Sequence, residues 1–143
     1  MIIDVTEVET ERPKYNQKDW FSGKKWMHTV KFQTIINAHT NEILNIFPDT
    51  GKNHDFKTFK NSKLEFLSET VILADKGYQG LQKIHSNTFL PIKTSKNNPK
   101  TSKIKIFNKI INKTRRKIEH VFAFLKVLKL LVINLEKVEN EYF

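Results

Sequence analysis

Residues 71–80 read VILADKGYQG. A short apolar, β-branched run ends in Asp75, and Lys76, Gly77, Tyr78 and Gly80 follow at once. A run of this kind reads as a brief buried strand bounded by turn residues. Asp75 then has two readings: a turn-former where a strand meets a glycine-bearing loop, or a carboxylate presented at a strand end.

The neighbouring segments alternate in type. Toward the N-terminus, NHDFKTFKNSKLEFL (53–67) offers Asn53 or Asp55 as a helix start, with Phe56, Phe59 and Lys60 at helical spacing. Before it, ILNIF (43–47) reads as the return strand of a hairpin whose first strand is MHTVKFQTIINA (27–38), across a polar HTNE turn. IIDVTEV (2–8) is a β-branched strand. Toward the C-terminus, YQGLQKIH (78–85) reads as a short helix, and TFLPIK (88–93) as a strand that Pro91 places at an edge. KTSKNNPKTSK (93–103) has loop composition. From Ile104 the apolar positions Ile104, Phe107, Ile111, Ile118, Val121, Phe122, Leu125, Leu128, Val132 and Leu135 keep steps of three and four with one gap. That pattern predicts an amphipathic helix or two consecutive ones.

The predicted order is β-β-β-α-β-α-β-α. A hairpin followed by strands separated by helices implies a mixed α/β sheet, antiparallel on one side, with right-handed parallel crossovers on the other. The first strand then lies in the middle, with the strand ending at Asp75 beside it. The 143 residues are about one domain, 1–143, and 38% hydrophobic residues permit a single core.

Several classes are excluded. With no cysteine, disulfides, thiolate zinc sites and cysteine nucleophiles are absent together. MIIDVTEVETERPK meets acid within four positions and has no leader-like start. VFAFLKVLKLLVINL (121–135) is broken by Lys126 and Lys129 and is shorter than the roughly 20 residues a membrane span needs. A cytoplasmic protein with no membrane partner is the expectation.

The net charge of +10 is unevenly placed. Residues 1–75 hold 10 Lys and Arg against 11 Asp and Glu, a net of −1, whereas residues 76–143 hold 15 against 4, a net of +11. Between Asp75 and Glu119 stand 12 cations and no acid. Such a one-sided field attracts a polyanion, of which nucleic acid is the usual one; a solubilising lysine-rich surface is the alternative.

Asp4 and Asp75 fall on strands expected to be neighbours. Glu119 lies one step, about 100°, from Ile118, at the margin of the helix's apolar stripe. Converging carboxylates need a positive partner, and a hard cation such as Mg²⁺ suits oxygen ligands. Paired ions of that kind support phosphodiester chemistry. The plainer alternatives are a strand-end residue for Asp4 and, for Glu119, a solvated residue paired with Arg115 or Arg116.

DVTEVETERPK, FSGKKWMHTVKFQTIIN, GKNHDFKTFK, LADKGYQGLQKIH, LPIK and RRKIEHVFAFLK occur in that order from about residue 3 to about residue 131. Together they resemble the DDE-type insertion-sequence transposases of the group often called "IS five". The resemblance implies an RNase H-like catalytic core with two divalent ions, Mg²⁺ or Mn²⁺, held by Asp4, Asp75 and Glu119. It also implies DNA as partner, both element ends and target, with cleavage followed by strand transfer without a covalent protein intermediate. A homodimer on DNA and a nucleoid-associated bacterial location follow. DNA contacts are implied at Lys24, Lys25, His28, His54, Lys76, Tyr78, Lys93, Arg115 and Arg116, and Gly77 and Gly80 would let backbone approach DNA. Asp55 has a second reading, as a cap of its helix.

The family's N-terminal DNA-binding region and C-terminal Arg-rich helix have no counterpart in these residues. That leads to the expectation of a truncated copy, or of a separate chain supplying the N-terminal part. The alternative function is an inactive remnant that binds DNA through its basic surface, and a third is a host nuclease on the same fold.

Overall fold

The computed structural model describes residues 1–95, 99 and 101–142, with side chains of the last helix described as far as Val127. In chain order the elements are β1 (Ile2–Glu9), α1 (Gln17–Trp20), β2 (Phe21–Ser22), β3 (Met27–Ile36), β4 (Ile43–Thr50) and α2 (Asp55–Ser62). β5 (Ile72–Leu73), a 3₁₀ turn (Lys76–Tyr78), α3 (Leu81–Ile84), β6 (Thr88–Phe89) and α4 (Ser102–Tyr142) complete them.

Ile2 and Ile3 point to opposite faces of β1, yet both are fully buried. A strand buried on both faces belongs in the middle of a sheet with layers above and below. β1 accordingly pairs antiparallel with β3, from Ile2 opposite Ile36 to Glu9 opposite Thr29, and parallel with β5 at Ile2 and Leu73. β4 and the short β2 pair with β3, and β6 pairs parallel with β5 as the far edge. The mixed sheet therefore has its antiparallel and parallel halves where the alternation of strands and helices puts them.

α2 covers one face. Its Phe59 packs with Ile3, Ile35, Ile72, Ala74, Tyr78, Leu81 and Leu90. α4 covers the other, setting Ile118 and Phe122 against Ile2 and Ile36. The C-terminal periodicity is one continuous helix over Ser102–Tyr142; Leu128, Val132 and Leu135 lie outside the described side chains. The 93–103 loop is described only in part.

Three local expectations change. The cap of α2 is His54, with no side-chain cap bond, and Asp55 is the first helical residue, its carboxylate accepting from Lys31 Nζ at 3.2 Å. The helix expected over 78–85 is reduced to α3, Leu81–Ile84, with Tyr78 in the preceding 3₁₀ turn and Gly80 at a left-handed φ of 102° between them. The strand at 71–75 keeps ladder pairing only at Ile72–Leu73, so Asp75 stands just past its end.

Candidate active site

The register decides which carboxylates meet. Ile2 is opposite Leu73 on the parallel pair β1–β5, and side chains repeat every second residue along a strand. Two residues on, Asp4 and Asp75 therefore stand side by side on the face that α4 covers. α4 reaches them because Ile111, Ile118 and Phe122 are buried along one stripe. Arg115 occupies that stripe between Ile111 and Ile118, where the apolar pattern skips.

Arg115 joins the two acids. Its Nη2 donates to Asp4 Oδ2 at 2.6 Å and its Nη1 to Asp75 Oδ1 at 3.1 Å. Asp4 Oδ1 also accepts the Val5 N–H at 2.9 Å. Asp4 and Arg115 are 18% and 14% exposed in their side chains, and Asp75 43%. Burial raises the Asp4 carboxyl to about 6; Arg115 and the Val5 N–H oppose the rise and the Asp75 charge adds to it. Two carboxyl groups thus share one guanidinium, Asp4 on the buried side and Asp75 toward solvent. The Arg115 Nε, the Tyr78 hydroxyl and Thr34 Oγ1, whose residue lies directly opposite Asp4, are buried without a hydrogen-bond partner.

Glu119 is on α4, four residues beyond Arg115 and about 6 Å further along the axis, and is exposed. Of the two arginines offered as alternative partners for Glu119, Arg115 instead bonds Asp4 and Asp75. Among the described residues no three acidic or histidine side chains lie close enough to share a metal. The pair Asp4 and Asp75 nonetheless fits a hard divalent ion: both supply carboxylate oxygens, and a cationic group already sits between them. Mg²⁺ is commonly held by one or two carboxylates completed by phosphate oxygens and water.

The remaining expected residues separate into surface and core. Lys24, Lys25, His54, Lys76, Lys93 and Arg116 are exposed, and His28 is half-buried with its ring edge-on to Phe21 at 5.7 Å. Tyr78, expected on the DNA-facing surface, is fully buried instead, its ring packed in the cluster beneath α2. The two glycines also approach protein rather than an open face. A Cβ on Gly77 would overlap the Asp55 carboxylate, and one on Gly80 would lie 2.8 Å from the Phe56 ring. The turn carrying Asp75 is thereby pressed against the start of α2.

Behind that turn lies a group of charges that sequence patterns did not single out. Lys31, 6% exposed, donates to the Asn53 carbonyl at 2.5 Å and to Asp55 Oδ1, and lies 3.4 Å from Glu7 Oε1. Glu7 Oε2 accepts the Ser22 hydroxyl at 2.7 Å. The only sequence signal was Lys31 and Glu7 at alternate positions of strands otherwise rich in apolar residues. The group links β1, β3 and α2, and through Asp55 and Gly77 it fixes the turn that follows Asp75.

The family model described as "DDE superfamily endonuclease" matches residues 3–140. A protein described as a probable transposase for insertion sequence element IS702, from Microchaete diplosiphon, is 40% identical over 131 residues. The alignment takes in 92% of this chain and 48% of that protein, so the chain spans about half the length of that relative. No solved structure matches significantly.

Proposed function

The chain belongs to the DDE superfamily endonucleases, and from that premise we propose that it is the catalytic domain of an insertion-sequence transposase. It would cut a DNA phosphodiester at an element end and direct the freed 3′-hydroxyl at target DNA. The observation that carries this reading is the convergence of Asp4, within β1, and Asp75, just past the end of β5, beneath α4, the helix that also bears Glu119. The strand order β4-β3-β1-β5-β6, with three antiparallel strands and two parallel to β1, supports an RNase H-like core.

Asp4 and Asp75 would hold divalent metal, Mg²⁺ or Mn²⁺, with Glu119 as the third acid; of two ions, the Asp4–Asp75 pair accounts for one. When bound, such an ion activates an attacking water or hydroxyl and stabilises the leaving oxygen. The protein's own part is positional. Asp4 must be ionised to act as ligand, and the parallel β1–β5 register sets it beside Asp75. Arg115 and Arg116 would grip phosphate bidentately, while Lys24, Lys25, Lys76 and Lys93 would track the backbone. Pairing two element ends would place two copies on one DNA complex.

The test is nicking of an element-end duplex in Mn²⁺ or Mg²⁺. Wild type should nick it, and Asp75→Asn and Glu119→Gln should each lower the rate at least about 100-fold, as expected for groups that stabilise the transition state directly. Folded protein that binds DNA and never nicks in either metal would overturn the reading and leave a DNA-binding protein.

A further inference from the structure

We infer that Arg115 is a built-in counter-ion that closes the Asp4–Asp75 pair in the absence of DNA, and that a DNA phosphate draws it away so that DNA and divalent ion load together. This rests on the proposed function, because it concerns the same carboxylates.

The geometry supplies the argument. Both terminal nitrogens of Arg115 are committed to the acids, at 2.6 and 3.1 Å. The guanidinium holds one oxygen of each carboxylate, so an ion shared by those two oxygens would compete with it for the same place. An arginine cannot leave by losing its proton; it must swing out as a cation and find another anion. Phosphate is the partner that matches its planar fork. The present arrangement also leaves the guanidinium incompletely satisfied, since Nε is buried without a partner. The backbone beneath it is held firmly, because Ile111 and Ile118 seat α4 on either side, so the exchange is confined to one side chain. Lys76, exposed immediately beside Asp75, adds positive charge where the incoming phosphate would arrive.

Two ligands linked through one displaced side chain must help one another reciprocally, and couplings of this type are commonly ~5- to 150-fold. Mn²⁺ titration calorimetry on the 143-residue chain reads it directly, with a DNA-only titration subtracted. Without DNA, Arg115→Gln should bind Mn²⁺ about tenfold more tightly than wild type, and adding Asp75→Asn should abolish that gain. A 20-base-pair duplex should tighten Mn²⁺ binding by wild type by about the same factor and leave Arg115→Gln nearly unchanged.

Equal or weaker Mn²⁺ binding by folded Arg115→Gln overturns the inference while leaving the metal site intact. Cooperative melting of both proteins with no Mn²⁺ binding by either overturns the proposed function, and the inference with it. Should Arg115→Gln fail to melt cooperatively, the wild-type arm decides: Mn²⁺ affinity unchanged by DNA overturns the coupling.

Discussion

Asp4 is the residue at which burial and chemistry oppose each other most directly. Its carboxyl is raised to about 6 from an ordinary 3.8, burial being the largest cause. Between those values the folded chain keeps a proton that the unfolded chain releases, so folding is favoured at the acid end of the window and loses stability as pH rises through it. A shift of about two units corresponds to roughly 2 to 3 kcal/mol. In EDTA, urea unfolding from pH 4.5 to 7.5 should show Asp4→Asn gaining stability on wild type by about that amount as pH rises. A difference that stays constant across the window would show that Asp4 ionises as freely folded as unfolded. Asp4 was legible as a candidate from DVTEV, but its environment was not, because the residues that bury and pair it lie far away in sequence.

Among elements, β3 shows how a charge can be built into a strand. Lys31 is nearly as buried as the isoleucines that follow it, and it is held by Glu7 of β1, by Asp55 of α2 and by the Asn53 carbonyl. Removing one partner of a buried ionic group leaves the others uncompensated, which costs about 3 to 5 kcal/mol. Lys31→Met should therefore lower the free energy of unfolding by that order in urea denaturation. Adding Glu7→Gln should restore part of it, since the stranded carboxylate is then neutral; equal stability of the single and double variants would refute the coupling. The strands and α4 were readable because period-two and three-to-four patterns are local. The cap, one of the readings open for Asp55, is not the one taken, because its carboxylate bonds Lys31, 24 residues earlier. The late start of α3 was likewise not legible: Gly80, its left-handed cap, lies close to Phe56, a contact between elements.

For the whole molecule, the net charge of +10 and the exposed Lys24 and Lys25 at the β2–β3 turn predict salt-sensitive binding to duplex DNA. Replacing both lysines by alanine should reduce the slope of log affinity against log salt by about 2, read by fluorescence anisotropy. An unchanged slope would place the DNA path elsewhere. Among the described residues no helix is long and apolar enough to cross a membrane. The mixed sheet with β1 at its centre, the basic C-terminal half and the candidacy of Asp4, Asp75 and Glu119 could be read along the chain. Each of these follows from periodicity, charge order or motif along the chain. It took the packed layers to make Arg115 bridge Asp4 and Asp75, across 111 and 40 residues, to put Tyr78 in the core and to leave Glu119 exposed. The reason is physical: a side chain's partners are set by which strand ends and helix faces the packed layers bring within a few ångströms, and local periodicity carries no record of that distance.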